Sequence, residues 1–348
     1  MPDDIRIEYH PNLYVPREKA ESEVQKWLTG NGRLLTITSP PATGKSWLLK
    51  RVKMEEGFLK NVPSFWLDIR DFLVPATGSL IGSRVIDPNG LEKWLAQFLK
   101  EAQETCKNVP AYDAGVETAV LLEKFAEAMQ QCHPKQKLYL LVEGGDEPAE
   151  AIWNAIERQI LEPIARLANW RFIIVLRHEQ RLISYMLRRD EQRLVLGALP
   201  KISNKGKEQL ELLRQEAQNP HLPDTDTILT ILPDYPWSHP GLNHFLFLEV
   251  KANYRLPRAN WLNHDYCLRG LCAITQLPLD HVNGMYTYLR QIVNQLNADW
   301  TPDELMANFD LPVSKAWERI ETLKSAWLVE NVARNRFKIP DGVREFVQ

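Results

Sequence analysis

The 348 residues are enough for roughly two or three cores, and 42 Lys and Arg against 45 Asp and Glu leave a formal charge of −3. That balance excludes a general attraction to nucleic acid or anionic lipid, while leaving room for local patches. No apolar run approaches the roughly 20 residues that span a bilayer, and Met1-Pro2-Asp3-Asp4 lacks the basic-then-apolar layout of a signal peptide, so a cytoplasmic chain with no membrane partner is expected. Cys106, Cys132, Cys267 and Cys272 form no Cys-x-x-Cys pair. This argues against a zinc site or a disulfide framework and for buried free thiols.

Between Arg33 and Arg177 short apolar runs alternate with longer amphipathic stretches. Leu34 to Thr38 predicts a strand, followed by a glycine-bearing loop and a helix from Ser46 to Met54. Ser64 to Ile69 predicts a second strand, and two amphipathic helices follow, about Leu91 to Cys106 and Gly115 to Cys132. Leu138 to Val142 is apolar throughout, as suits a strand buried on both faces. Arg171 to Leu176 gives a fourth strand and Arg193 to Leu196 a fifth. The alternation implies an α/β fold, a parallel sheet covered on both sides.

Beyond Pro200 the strand signals fade. Ser203 can cap a helix to about Gln218, the prolines of Asn219 to Pro223 mark a loop, and Asp226 begins another polar-to-apolar stretch. Trp237 to Gly241 is a second turn, leading into an apolar helix from Leu242 to Val250. Pro302 opens a short helix and Val313 to Ala326 forms another. Leu328 to Val332 and Arg336 to Ile339 make a hairpin, and a last helix runs from Asp341 to Phe346. That order is the winged-helix plan.

The strongest chemistry lies at Ser39-Pro40-Pro41-Ala42-Thr43-Gly44-Lys45-Ser46. A P-loop wraps phosphate oxygens with backbone N–H groups and ends at a helix N-terminus, whose partial positive charge suits an anion. Lys45 would reach the β- and γ-phosphates, and the Ser46 hydroxyl would sit on Mg²⁺. The usual glycine five residues before Gly44 is Ser39, and two prolines remove two donors, but Thr43, Gly44 and Lys45 keep theirs. At Leu138 to Glu147 an apolar strand ends in Glu-Gly-Gly-Asp-Glu. Glu143 stands at the tip, where a carboxylate holds the water shell of Mg²⁺, and Asp146 can share that role. Asp146 and Glu147 follow on the turn, where a base orients the attacking water. Arg177 ends the fourth strand, where an arginine senses the γ-phosphate; pairing with Glu179 is the plain alternative.

Together these residues resemble the STAND class of signal-transduction ATPases, with its NACHT and plant-resistance-type members, within the AAA+ fold. Tyr14-Val15-Pro16-Arg17-Glu18 resembles the arginine-containing box near the adenine, Leu138 to Glu147 the acid-tipped strand, and Arg177 the sensor arginine. His239-Pro240-Gly241-Leu242 resembles the proline turn that abuts the base. Phe337 to Phe346 resembles the end of the winged helix, with Pro340 where many members place a histidine that contacts ADP. The resemblance implies a P-loop domain over 1–200 with its box at about 13–28, a helical lid over 201–257 and a winged helix over 258–348. It also implies ATP, ADP and Mg²⁺ as ligands, slow hydrolysis, and a switch between closed and assembling forms, as a homo- or hetero-oligomer. Effector and sensor regions that members usually carry are expected here as separate proteins.

Two other readings compete. A DNA-binding AAA+ ATPase of the origin-recognition or transposition-regulator type also pairs an ATPase with a winged helix, and Lys315, Arg319, Lys324, Arg334, Arg336 and Lys338 favour it. Against DNA, residues 259–348 hold nine Lys and Arg against eleven Asp and Glu. The Ser39, Pro40 and Glu143 departures instead suit a scaffold that holds nucleotide without hydrolysing it. His239 and His244 read as packing or turn residues. Arg188-Arg189 reads as a solvated face, or as a finger for a neighbouring subunit's ATP.

Overall fold

In the computed structural model a five-stranded sheet organises the first half of the chain. Its strands are β1 (Leu34–Thr38), β2 (Ser64–Asp68), β5 (Leu138–Glu143), β6 (Trp170–Leu176) and β7 (Glu191–Val195), in the order β2-β5-β6-β1-β7. Every neighbouring pair is parallel. Between β2 and β5 the short strands β3 (Leu73–Pro75) and β4 (Arg84–Ile86) pair antiparallel on their own. The structure describes residues 14–39, 43–53, 57–75, 84–144, 150–176, 182–196, 205–217, 219, 221–231, 240–253, 255, 264–275, 279–326 and 328–347. These form two compact units. One is Pro16–Ser39 with Lys45–Leu196; the other is the described part of 197–348 with Tyr14, Val15, Thr43 and Gly44.

The pleat of each central strand feeds two separate cores in the first unit. Leu138, Leu140 and Val142 of β5, with Trp170, Phe172 and Ile174 of β6, face one layer, built on helices α3 (Pro88–Thr105) and α4 (Thr118–Cys132). Tyr139, Leu141, Ile173 and Val175 face the other, where α1 (Glu18–Thr29) and α2 (Lys45–Lys53) pack through Val24, Trp27, Leu48 and Leu49. The near-continuous apolarity of β5 and β6 thus reflects burial on both faces. The outer strand β7 carries the Arg193–Glu191 ion pair and leaves Val195 exposed. Its charges suit an edge.

Strands and helices occur where the alternation predicts them, with β6 and β7 beginning earlier than expected. One long element was not anticipated. Residues 150–165 form α5 (Glu150–Ile156), a π-helical turn Glu157–Leu161 and α6 (Glu162–Ala165). The π turn aims Glu157 inward, where its carboxylate accepts the backbone N–H groups of Ile183 and Ser184 at 2.9 and 2.7 Å. Burial pushes the Glu157 carboxyl up against the opposing effect of those bonds.

The free-thiol expectation fails for two cysteines. Cys106 and Cys132, 26 residues apart with Cα atoms separated by 6.1 Å, form a disulfide joining the ends of α3 and α4. Closing a loop of that length contributes about 3 kcal/mol in the chain-entropy account. Cys267 and Cys272 are free and half-buried.

The second unit holds helices α8 (Lys205–Glu216), α9 (Thr225–Ile231), α10 (Pro240–Asn253), α11 (His264–Thr275) and α12 (Leu279–Gln295). After them come β8 (Asp299–Trp300), α13 (Pro302–Phe309), α14 (Val313–Ser325), the hairpin β9 (Glu330–Ala333) and β10 (Arg336–Lys338), and α15 (Asp341–Val347). Pro302 does open its helix, helped by a capping box in which Thr301 and Glu304 satisfy each other's backbone N–H groups. Strand β8, too short to read from sequence, adds a third strand to the hairpin by pairing with β10. Among the described residues no helix is long and apolar enough to cross a membrane.

Two helical glycines in this unit should respond in opposite ways to one methyl group. A Cβ on Gly270 of α11 would lie 2.3 Å from the Phe346 ring of α15 and 3.0 Å from Phe245. Gly284 of α12 is exposed, with nothing within 4 Å of its Cβ position. Gly270→Ala is expected to cost about 1–3 kcal/mol, and Gly284→Ala to stabilise by up to about 1 kcal/mol. Urea unfolding of the two variants checks both signs.

The same unit carries a titrating group. Burial lowers His244 of α10 from 6.5 to about 4, and its Nδ1 has no hydrogen-bond partner. The unfolded chain therefore binds more protons than the folded chain between pH 6.5 and 4, and stability falls as pH drops through that window. His244→Leu is expected to flatten this decline; equally steep melting curves in wild type and variant over the window would contradict the assignment.

Candidate functional site

A parallel sheet brings the carboxyl ends of its strands to one edge. Here that edge holds Thr38 of β1, Glu143 of β5 and Leu176 of β6, in the lateral order β5-β6-β1. The chain leaves β1 into the loop Ser39 to Ser46 and leaves β6 at the residue before Arg177. Sequence motifs far apart in the chain thus depart from adjacent strands of one sheet edge. Ligands of open parallel sheets sit outside such an edge.

At the loop's end Gly44 has φ of +94°, a conformation open to glycine and strained for other residues. Helix α2 starts at the next residue and has no acidic side chain in its first turn, so its N-terminus is not neutralised from within. Lys45 is 4 % exposed, and its Nζ donates to the Ser39 carbonyl at 2.9 Å. This bond folds the lysine back over the start of its own loop. Thr43 is buried and Ser46 half-buried. Pro40, Pro41 and Ala42 lie outside the described residues.

Glu143 is the last residue of β5 and 2 % exposed. Its Oε1 accepts from Arg70 Nη2 at 2.7 Å, while its Oε2 is buried without a hydrogen-bond partner. A hard cation takes oxygen ligands, carboxylates among them, so this unmatched oxygen fits a Mg²⁺ water shell. Thr38 Oγ1, at the end of β1, is likewise buried and unmatched.

Arg70 was not singled out in the sequence. It follows β2 in a short 3₁₀ turn, Ile69–Phe72, capped by Asp68, whose Oδ1 accepts the Arg70 backbone N–H. The same carboxylate takes the guanidinium through Nε at 2.7 Å and Nη2 at 2.5 Å. Asp68 stands beside Glu143 in the β2–β5 register, so both carboxylates share one arginine. Burial alone would lower the guanidinium, but hydrogen bonding to Asp68 and the charges of Glu143 and Asp68 outweigh it and hold Arg70 above its ordinary value. The spacing Asp68-x-Arg70 directly after a strand was the available signal.

Of the remaining expected site residues, Arg17 and Pro240 belong to different units and the others lie outside the described residues. Arg17 stands at the N-cap of α1, where its backbone N–H donates to Glu21 at 2.8 Å. Pro240 is the first residue of α10, in the second unit. Asp146, Glu147 and Arg177 lie outside the described residues, as does His239. Pro340 precedes α15 and accepts the N–H groups of Val343 and Arg344.

No protein-family model and no curated protein matches the sequence. Among solved structures the chain is similar to the Walker-type ATPase PABY2304 of Pyrococcus abyssi, at 15 % identity over 99 % of this chain and 98 % of that one, with a TM-score of 0.64. Fainter likenesses extend to Cdc6p of Pyrobaculum aerophilum (13 % identity, 96 % of each chain, TM-score 0.45). They include RuvB of Thermotoga maritima as well (12 % identity, 92 % and 88 %, TM-score 0.38). The chain thus has the α/β fold of a Walker-type ATPase, with helical regions after its parallel sheet.

The turn after β5 offers a direct check on this geometry. Gly144 has φ of +77°, and a Cβ there would lie 2.9 Å from Arg70 Cγ and 3.0 Å from Asp68 Oδ1. Gly144→Ala is expected to cost about 1–3 kcal/mol through the strained backbone, and more if Arg70 is pushed off the carboxylates. A chemical-denaturation midpoint equal to wild type would contradict the packing of Arg70 on this turn.

Proposed function

We propose that the chain is a nucleotide-controlled switch of the STAND-like type, binding ATP and ADP with Mg²⁺ and hydrolysing ATP slowly. The observation that carries this reading is the sheet edge. There β1 leads into the loop that ends in the left-handed Gly44 and the buried Lys45, and β5, on the far side of β6, ends in Glu143 with its unmatched oxygen. Thr43, Gly44 and Lys45 would hold phosphate oxygens, and Ser46, Glu143 and Asp146 would hold Mg²⁺ and its waters. Glu147, with Asp146, would orient the attacking water, and Arg177 would sense the γ-phosphate. Arg17 and Pro240 would flank the base. Within this reading 201–257 serves as the helical lid and 258–348 as a winged helix. Separate sensor and effector proteins meet the nucleotide-dependent form, which assembles as an oligomer.

One observation favours the nucleotide-holding scaffold as a second reading: Arg70 already occupies an oxygen of Glu143. The DNA-binding reading turns on the cations of the second unit. Lys315 and Lys324 of α14 pair with Glu318 and Glu321 of the same helix, and Lys338 of the hairpin pairs with Glu330. Half of the six cations that suggested DNA thus have carboxylate partners, leaving Arg319 over the Tyr288 ring and Arg334 and Arg336 as exposed charges on the hairpin. A steep salt dependence of duplex binding would revive it.

Nucleotide content tests the proposal. Denaturing the purified chain and separating the released small molecules is expected to give about one ADP or ATP per chain, or the empty protein should bind it readily. Lys45→Ala is expected to lose nucleotide in either case. No binding by the wild-type chain at millimolar nucleotide would overturn the reading. Turnover lost in Glu147→Gln favours the hydrolysing switch, and turnover absent from both favours the scaffold.

A further inference from the structure

We infer that Arg70 is a resident counter-ion that holds Glu143 until a divalent cation replaces it, so that Arg70 sets the Mg²⁺ requirement of nucleotide binding. The inference rests on the nucleotide reading above and names a regulator of that site.

A carboxylate as enclosed as Glu143 needs a partner, because an isolated charge in the interior carries a large desolvation cost. Arg70 satisfies one oxygen and leaves the other unmatched. Asp68 and Glu143 bring two carboxylates to one guanidinium, so the cluster as described has more negative than positive charge. That surplus suits a cation rather than an anion. A permanent strut would be expected to spend both Glu143 oxygens on protein donors.

The arginine is also built to let go. Its fork rests on Asp68 through two bonds that do not involve Glu143, and the Asp68 carboxylate is fixed in turn by capping the Arg70 backbone. Losing Glu143 therefore costs Arg70 one contact and leaves it charged and paired two residues away in sequence. Gly144 supplies the room: its lack of a side chain lets the Arg70 stem lie against the strand-end turn. A fully enclosed single-partner arginine would lose its whole setting on displacement, and Mg²⁺ would compete poorly.

The test follows binding of a fluorescent ADP analogue to the full chain while Mg²⁺ is titrated, with melting curves recorded alongside. Arg70→Met is expected to lower the Mg²⁺ midpoint by about tenfold, and Arg70→Lys, which keeps charge but loses the fork, by less. Adding Glu143→Gln to Arg70→Met should abolish the shift. Mg²⁺ should raise the melting temperature of the ADP complex more in Arg70→Met than in wild type, since only the variant starts with Glu143 unpaired. Should Arg70→Met fail to fold, Arg70→Lys and Glu143→Gln carry the comparison. Equal midpoints in wild type and the folded Arg70 variants would overturn the inference. Binding without Mg²⁺ that is lost in Lys45→Ala shows that the nucleotide reading stands by itself, so equal midpoints then count against Arg70 alone. Absence of any Lys45-dependent binding removes the nucleotide reading and this inference with it.

Discussion

A parallel sheet buried on both faces confines polar chemistry to the ends of its strands, and this constraint shapes the first unit. The faces of β5 and β6 are filled by aliphatic and aromatic side chains from two helical layers. Backbone and charge must then be satisfied at the ends. At the amino ends of the strands, cations do so. Arg33 donates to the carbonyls of Ala165 and Leu167, Arg171 to those of Asn31 and Gly32, and Lys137 to those of Leu28 and Gly30. These residues close helix C-termini and loops, where carbonyls outnumber donors. The carboxyl ends are different. They hold a lysine turned onto the carbonyl of its own loop, two carboxylates on one arginine, and two buried oxygens without partners. Neither end is fully matched, since Arg33 Nε, Arg171 Nε and Asn169 Oδ1 at the amino ends also lack partners. Unsatisfied buried groups are costly, and at the carboxyl ends they are oxygens, one of them on a carboxylate, which a bound cation would satisfy.

The charges at that edge set its selectivity. A helix N-terminus with no acidic side chain in its own first turn and a buried lysine attract an anion. A carboxylate strand-tip attracts a cation. Neither preference alone would distinguish a metal–phosphate complex from simpler ions. Held on β1 and β5 with β6 between them, they leave the width of one strand for whatever bridges the two. The intervening strand ends at Leu176, so the next residue, Arg177, departs from the position between them.

How much of this was legible follows from the range of each interaction. The burial of β5 is written in its own five apolar residues, and the acid at its tip needs only that strand to be parallel and central. Gly44-Lys45-Ser46 is local too, since strand, loop and helix adjoin in sequence. The pairing of Arg70 with Glu143, unlike its spacing from Asp68, was not legible, for the opposite reason. Its partner Glu143 is 73 residues away, and nothing local says that β2 lies beside β5 rather than beside β1. The Cys106–Cys132 bond escaped in the same way: a spacing of 26 fixes no Cα separation until α3 and α4 have packed. The π turn at Glu157–Leu161 has no sequence mark, and the bonds that Glu157 makes there, to Ile183 and Ser184, are 26 and 27 residues away in sequence. Gly270 reads as a weak helix residue until Phe346, far along the chain, is seen against it.

Under the proposed reading the loop before α2 poses a last physical question, namely how it would cradle phosphate with two donors removed. Pro40 and Pro41 have no N–H to offer, yet each has its φ fixed near −65°, so the free loop has fewer conformations to lose when it closes on a ligand. What is given up in hydrogen bonds is partly recovered in entropy. The balance differs for the two nucleotide states under the proposed reading. The donors that remain, on Thr43, Gly44 and Lys45, adjoin the helix N-terminus and would meet the phosphate that ATP and ADP share. The γ-phosphate of ATP would depend more on side chains: Lys45, which must leave the Ser39 carbonyl to reach it, and the cation at Glu143, which must first part from Arg70. Both steps break an existing buried contact before a new one forms. Under the proposed reading such a site would hold the diphosphate with parts already in place and admit the third phosphate only by rearrangement, which is the energetic asymmetry that a slow switch needs and a fast enzyme avoids.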